Sequence, residues 1–149
     1  MNGILHGLHE VGWNHVPLVA METIGADSLN ACVMAGDWVE IEDIKSIAVC
    51  LGVQRVSKRT YQWLSEHNVI SCVIPDEEAL KACVKISDDH NILVPPSCGA
   101  AIAAVYGDIL SDLIKEGKLP QILNNVVIIV CGGSGTTTEK VEEWRNKYM

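Results

Sequence analysis

An α/β fold is predicted for this 149-residue chain, because strand-like apolar runs alternate with helical patterns. The first observation is the run Val126–Val130, five β-branched residues typical of a strand buried on both faces of a parallel sheet. The second is a pair of similar runs at Pro17–Glu22 and Val69–Ile74. The third is the set of amphipathic stretches between these runs. Together they predict helices packed on both sides of a parallel sheet, a three-layer αβα arrangement.

In chain order, the amphipathic stretches of the first half predict four helices. Gly3–Leu8 has helical spacing without a capping residue ahead of it, so we expect a segment to precede it. Ser28 and its neighbour Asp27 can cap the second helix, and Gly36 and Gly52 can end the second and third. The four predicted helices are Gly3–Leu8, Leu29–Ala35, Glu42–Leu51 and Ser57–His67.

The second half predicts three further helices around the run Val126–Val130. Pro75 suits a first helical turn, and the acidic residues after it suit the amino end of a helix dipole. The residues of Gly99–Val105 are unusually small, which allows close packing on a sheet or a ligand. The predicted helices are Pro75–Ser87, which ends at a turn over Asp88–Asn91, then Ala100–Lys115, and a last helix that follows Thr136–Thr138.

Composition excludes several classes of function. The net charge of −8 and the lack of a basic stripe argue against binding to nucleic acid. No apolar run approaches the roughly 20 residues of a membrane span, and the amino terminus lacks the basic region of a signal peptide. None of the six cysteines is spaced for zinc binding. Their apolar surroundings predict buried free thiols in a reducing cytosol, and hence a cytoplasmic protein.

Two stretches resemble the rim of a ligand site. Cys131–Gly135 follows the run Val126–Val130 directly, and Glu22 ends an earlier predicted strand just before a glycine-containing loop. Glycine allows the backbone to approach another group closely, and ligands of open α/β sheets bind at the carboxyl ends of the strands. From these residues alone, a ligand rim and an ordinary strand-to-helix turn both remain open.

Four blocks of sequence carry a family resemblance, and together they cover essentially the whole chain. The chain resembles the carboxyl-terminal half of the eukaryotic L-serine dehydratase/L-threonine deaminases, which are pyridoxal phosphate (PLP) enzymes of the tryptophan synthase β-like, fold type II superfamily. The resemblance assigns residues 1–149 to the large-domain, carboxyl-terminal portion of such an enzyme. The matching blocks lie in Gly7–Trp13, Val16–Ser28, Ile92–Tyr106 and Val126–Ser134.

The resemblance implies roles for two groups of residues. Cys131 takes the position that faces the pyridine nitrogen of PLP, with Gly132, Gly133 and Ser134 beside the cofactor ring. The loop after Pro17–Glu22 takes the position that holds a monovalent or divalent cation in related enzymes. Its expected ligands are the Glu22 carboxylate, the Ala26 carbonyl and the Ser28 hydroxyl. The alternative for this loop is structural, with Glu22 capping a backbone turn and Ser28 capping a helix.

The function implied by the resemblance is PLP-dependent β-elimination from L-serine or L-threonine, which gives pyruvate or 2-oxobutyrate and ammonia. The resemblance also implies a homodimer in the intact enzyme. The lysine that binds PLP covalently and the phosphate-binding loop are expected upstream of Met1, whose helix would receive the phosphate. The eight lysines present instead suit solvated helix positions. We therefore expect a fragment, an isoform or a shortened paralogue that is inactive alone.

Two departures from the family pattern bear on activity. Pro95 replaces a usual glutamate, and Gly135 replaces a common asparagine after the Cys-Gly-Gly-Ser motif. Two alternatives remain open: a different fold type II activity such as serine racemase, and a non-catalytic paralogue that binds a full-length subunit. The thiol of Cys131 favours the dehydratase over the racemase, whose relatives tend to have serine there.

Overall fold

The computed structural model describes residues 1–149, with a two-stranded sheet and seven helices. The strands are β1 (Leu18–Thr23) and β2 (Val69–Ile74). The helices in chain order are α1 (Asn2–Glu10), α2 (Ser28–Ala35), α3 (Lys58–Glu66), α4 (Asp76–His90), α5 (Pro96–Tyr106), α6 (Ile109–Lys115) and α7 (Thr138–Tyr148).

The two strands run parallel, in a register that sets Leu18 opposite Val69 and Thr23 opposite Ile74. The chain crosses from β1 to β2 through α2, an irregular loop and α3, as a parallel connection requires. Both strands therefore end at the same edge of the sheet. The α/β class predicted from the sequence is confirmed, and this carboxyl edge holds the Glu22 loop.

The largest core cluster lies where α4 packs on α5. Gly99 makes this packing possible, because a Cβ at that position would lie 2.5 Å from the Cys83 sulfur. Met21 of β1 and Trp144 of α7 pack against the same cluster. No single helix is long and apolar enough to cross a membrane. Helices α5 and α6 reach that length and apolarity only together, and they are bent by 51° relative to each other.

The predicted strand at Val126–Val130 is absent, which corrects the sequence-based interpretation. These residues form no strand pairing, and Val127 is 81% exposed. Only Ile128 packs against the core cluster. The physical reason is pairing: β-branched residues favour a strand only beside another strand, and the sheet of this chain contains β1 and β2 alone.

The predicted helix at Glu42–Leu51 is also absent. Its backbone donors bond to other parts of the molecule: Lys45 N–H donates to the Gly25 carbonyl at 2.9 Å, and Ile47 N–H to the Asp76 carboxylate at 3.0 Å. These tertiary bonds replace the helical ones. As a result Cys50, which the apolar sequence predicted to be buried, is exposed.

Several helix ends differ from the prediction. Helix α4 runs three residues beyond the expected Ser87, to His90, and Asn91 caps it with a left-handed φ of 55°. The expected helix Ala100–Lys115 begins earlier and breaks at Gly107 into α5 and α6. Asparagine can cap a helix in a left-handed conformation, and glycine can break one. Packing decides at which of these residues a helix ends.

Candidate functional site

Side-chain hydrogen bonds join the ends of the two strands at the carboxyl edge of the sheet. The Thr23 hydroxyl lies 2.7 Å from Ser46 Oγ, which donates to Asp76 Oδ1 at 2.5 Å. Because Ser46 has only one proton, Thr23 must donate to Ser46. Asp76 begins α4, so this chain of bonds connects β1, the loop after α2 and the helix after β2.

Glu22 lies on the same edge, and both of its carboxylate oxygens are occupied. Oε1 accepts from the backbone N–H of Leu29 at 2.9 Å, and Oε2 accepts from that of Asn30 at 2.8 Å. The carboxylate therefore satisfies donors of the first turn of α2 and lies at the positive end of its dipole. Burial nevertheless raises the pKa of Glu22 above its ordinary value, and the two backbone bonds oppose that rise.

The other two expected cation ligands lie in the same loop. Ala26 is 1% exposed and donates its N–H to the Thr23 carbonyl at 2.8 Å, and Ser28 is 2% exposed. Ser28 is the first residue of α2, whereas Asp27 is the cap residue and bonds through Oδ1 to Gly25 N–H at 3.1 Å. No three His, Cys, Asp or Glu side chains are grouped to hold a metal. Glu22 thus caps the start of α2, the position that the structural alternative gave to Ser28, and the cation site stays a prediction.

The turn after Val126–Val130 is fixed by contact with the segment that leads into α5. A Cβ at Gly132 would lie 3.2 Å from Pro95 Cγ, and one at Gly133 would lie 2.5 Å from the Leu93 carbonyl oxygen. Only glycines allow so close an approach. Cys131, which precedes them, is exposed, and it lies close enough to the buried Cys98 for the two cysteines to interact.

Burial differs among the cysteines at the start of α5. Cys98 lies beneath the turn, 4% exposed, and burial raises the pKa of its thiol. Burial also raises the pKa of Cys83 to about 12, and its thiol donates to the Pro95 carbonyl at 3.6 Å. These two thiols are therefore protonated packing groups. Cys131 is the thiol of this group that a ligand can reach.

Gly135, the last residue of the turn, lines a cavity of about 520 Å³. It opens between α5, α7 and the irregular loop before α3, and its walls include Pro95, Ser97, Gly135 and Trp144. Cys131, Gly132, Gly133 and Ser134 do not line it.

The amino end of α1 offers free backbone donors. Leu5 N–H is the first to bond within the helix, to the Met1 carbonyl at 3.1 Å, and no side chain caps this end. The N–H groups of Asn2, Gly3 and Ile4 therefore have no acceptor within the helix. Such an end suits an anion, and phosphate above all.

The lysines show no arrangement suited to covalent chemistry. Hydrogen bonds to neighbouring acidic groups raise the pKa of Lys81, Lys115 and Lys118, whereas a nucleophilic lysine needs a lowered pKa. Lys140 contacts the turn, where its Nζ donates to the Gly135 carbonyl oxygen at 3.4 Å. It is exposed on α7.

Sequence reasoning missed the residues that support the site. The sequence places Asp76 only in the acidic first turn of a helix. Nothing in the sequence indicates its hydrogen bond with Ser46, thirty residues earlier. Leu93 and Pro95 were not predicted to support the glycine turn. A signal existed there, because two consecutive glycines imply a close neighbour, but it could not identify that neighbour.

Comparison with known proteins agrees with this arrangement. A family model described as "Pyridoxal-phosphate dependent enzyme" matches residues 1–132. The "Serine dehydratase-like" protein of Rattus norvegicus is 47% identical over 145 residues, which cover 97% of this chain and 44% of the relative. The "L-serine dehydratase/L-threonine deaminase" of Homo sapiens is 48% identical over 132 residues, which cover 89% of this chain and 40% of the relative.

Among solved structures, a fungal L-serine ammonia-lyase from Rhizomucor miehei matches with a TM-score of 0.86 and 34% identity. The match covers 99% of this chain and 46% of that one, so the chain spans less than half the length of these relatives. The maize serine racemase matches with a TM-score of 0.76 at 21% identity, which supports the fold alone. With a family model matched over most of its length, the chain belongs to the family of pyridoxal-phosphate dependent enzymes.

Proposed function

We propose that this chain forms the carboxyl-terminal, large-domain portion of a PLP-dependent L-serine/L-threonine ammonia-lyase. The observation that carries the proposal is the exposed Cys131 thiol, held on a glycine turn in a fold that matches a fungal L-serine ammonia-lyase. The products would be pyruvate or 2-oxobutyrate and ammonia. We further propose that the intact enzyme is a cytoplasmic homodimer.

The residues of this chain fit PLP in two places. Cys131 is exposed, Gly133 leaves no room for a side chain beside Leu93, and a side chain at Gly132 would press on Pro95, so the turn can present its backbone to a flat ring. The uncapped amino end of α1 offers three backbone N–H groups suited to a phosphate. When bound, PLP supplies the electron sink for removal of the α-proton and loss of the β-hydroxyl.

The thiol of Cys131 sets the electronics of that sink. A neutral thiol, unlike a carboxylate, does not force a pyridine nitrogen to remain protonated. A moderated sink favours β-elimination over reactions that need a longer-lived carbanion. Gly132 and Gly133 hold the thiol in position through their contacts with Pro95 and Leu93.

A cation at the Glu22 loop is a separate part of the proposal. Glu22, the Ala26 carbonyl and Ser28 supply three oxygens within seven residues, and hard cations prefer oxygen ligands. Each Glu22 oxygen accepts one backbone hydrogen bond and keeps lone-pair capacity for a further ligand. The cation would neutralise a carboxylate whose pKa burial raises.

The proposal is tested by complementation. The purified chain is mixed with PLP and L-serine, alone and after co-expression with the upstream portion of the Rattus norvegicus relative, and pyruvate and ammonia are measured. We expect no product from the chain alone and product from the pair. Cys131→Ala in the pair should lower kcat roughly 5- to 30-fold, as expected for the loss of one or two kcal/mol.

Cys50→Ala, at another exposed cysteine, is the matched control and should leave kcat unchanged. Pyruvate from the chain alone would contradict the expected need for an upstream lysine. Borohydride treatment with PLP followed by peptide mapping would then identify the lysine used, and Lys140 is the first to examine. D-serine in place of pyruvate from the pair would favour the racemase instead.

A non-catalytic role is the second candidate, and the exposed apolar residues of Val126–Val130 favour it. A surface of this kind suits pairing with another chain, here a full-length subunit of the same family. Co-purification of the chain with a full-length relative, together with altered activity of that relative, would support this candidate. Activity in the complementation experiment would count against it.

A further inference from the structure

Helices α1 and α3 lie side by side with their amino ends together, held at both ends by side chains. At the amino ends, Asn2 Nδ2 donates to Ser57 Oγ at 3.1 Å and Asn2 Oδ1 accepts from the Thr60 hydroxyl at 3.0 Å. At the carboxyl ends, His9 Nε2 lies 3.1 Å from His67 Nδ1. Seven residues, or about 10 Å of helix, separate the two attachments on α1, which therefore fix its direction.

The hydrogen bonds of His67 determine the positions of its protons. His67 Nε2 lies 2.8 Å from the Val16 carbonyl oxygen, and a carbonyl can only accept, so Nε2 carries the proton. In the neutral ring Nδ1 is then bare and accepts from His9 Nε2–H. His67 is 8% exposed, so water is a poor substitute for either partner.

We propose that His67 is a positioning residue for the amino end of α1, because its bare Nδ1 and protonated Nε2 together fix α1 to α3 and to the Val16 carbonyl. The role of that end as a phosphate site rests on the proposed function, but the fixing of α1 does not. Through α1, His67 would influence a cofactor phosphate that it does not touch.

The bond between the two rings depends on the bare Nδ1 of His67. A proton on that atom would set two donors against each other, and the fixing of α1 would be lost.

The charged groups around the pair have partners of their own. Glu66 of α3 is close enough to a charged His9 for that charge to help lower the pKa of Glu66, yet Arg59 already binds both Glu66 oxygens at 2.8 Å. On α1, His6 and Glu10 form their own exposed pair at 4.0 Å. The Trp63 ring lies 4.8 Å from that of His9, and it carries no charge.

The first test is spectroscopic and uses the whole chain without cofactor. Long-range ¹H–¹⁵N spectra at neutral pH should show His67 protonated at Nε2 and bare at Nδ1, whereas the exposed His6 should show the tautomer mixture of free imidazole. Hydrogen exchange at neutral pH should show the α1 amides protected from exchange.

Variants separate positioning from general stability. His9→Leu should raise exchange across α1 roughly fivefold at neutral pH, with α4 and α5 unchanged, because one part-buried hydrogen bond is lost. His9→Gln keeps a donor at the same position and should restore protection. His6→Gln is the matched control on the same helix and should change nothing.

Two results would overturn the proposal: a His67 ring protonated at Nδ1, or α1 exchange in His9→Leu that equals exchange in the wild-type chain. Both readouts are independent of PLP. A failed complementation experiment with intact α1 protection would therefore contradict the proposed function and leave the positioning role standing.

Discussion

The Glu22 loop and the Cys131 turn, two parts of one expected site, are completed in opposite ways. Glu22 is 9% exposed, and nearby residues of the chain satisfy both of its oxygens. Cys131 is exposed and follows an apolar run that pairs with no strand. The hydrogen bonds of the loop are thus satisfied within this chain, whereas the turn packs on one side and is exposed on the other.

The difference shows what each kind of contact contributes. The Glu22 loop needs only β1, the start of α2 and the loop near Ser46 to hold its shape, so we expect its geometry to be stable in this chain. The turn relies on Leu93 and Pro95 beneath it. Changes at the loop should therefore affect folding, and changes at the turn should affect ligand binding.

The largest effect is expected at Glu22. Glu22→Ala leaves the buried N–H groups of Leu29 and Asn30 without acceptors, and it should lower the free energy of unfolding by about 2–4 kcal/mol. Urea unfolding followed by circular dichroism measures this. Glu10→Ala, at an exposed glutamate of α1, should change the same quantity by less than about 0.5 kcal/mol. Equal effects at both sites would show that the bonds of Glu22 do not stabilise the loop.

The pH dependence of stability sharpens the same point. Because burial raises the pKa of Glu22, the folded chain holds this proton more tightly than the unfolded chain. The stabilisation is complete below the ordinary glutamate pKa of about 4.5 and is lost as pH rises through the folded value. The wild-type chain should therefore lose stability relative to Glu22→Gln as pH rises from that value towards neutrality.

A cation at this loop would reverse that trend, because it favours the ionised carboxylate and so lowers its pKa. Unfolding is measured across the same pH range in potassium chloride and in tetramethylammonium chloride at equal ionic strength. If the cation proposal is right, potassium alone flattens the difference between the wild type and Glu22→Gln. Identical curves in the two salts would contradict a potassium site.

An intermediate effect is expected at Gly133. Gly133→Ala places a Cβ 2.5 Å from the Leu93 carbonyl oxygen, so the turn must shift, at a cost of about 1–3 kcal/mol. PLP affinity in the complemented protein should fall accordingly. Gly135→Ala is the matched control, since nothing lies within 4 Å of its Cβ position. Equal PLP affinity in the two variants would show that the turn does not position the cofactor.

The smallest effect is expected at Val127. With 81% of this residue exposed, Val127→Thr should change the free energy of unfolding by less than about 0.5 kcal/mol. Val94→Thr, at a fully buried valine, should cost about 1–3 kcal/mol, because it places an unpaired hydroxyl in the core. A large effect of Val127→Thr would show that another chain or segment covers the run in solution.

Much of the fold could be predicted from the sequence, because apolar runs and capping residues determine several strands and helices locally. The run Val69–Ile74 forms the predicted strand, and Ser57 caps the helix predicted to start there by accepting from Thr60 N–H. Glu42–Leu51 and Val126–Val130 failed for a shared reason. Each has a suitable local pattern, but hydrogen bonds to distant residues decide its structure. Glu42–Leu51 bonds to residues elsewhere in the chain, and Val126–Val130 has no neighbouring strand with which to pair.

The site divides in the same way. The sequence located the Glu22 loop and the Cys131 turn, because strand ends and consecutive glycines are visible in a single chain. It left open a structural role in which Glu22 caps a backbone turn, and the bonds to Leu29 and Asn30 show that Glu22 caps the first turn of α2 instead. It could not show that Leu93 and Pro95 support the turn, since no pattern links residues almost forty positions apart.

The parallel pairing of β1 with β2 has a consequence for the order of folding. Their register joins Leu18 to Val69, so α2, the irregular loop and α3 must be gathered before the sheet can form. In contrast, α4 and α5 are neighbours along the chain and need only a short loop to meet. Since non-local contacts form slowly, we expect the α4–α5 pair to fold first and the strand pair to close last.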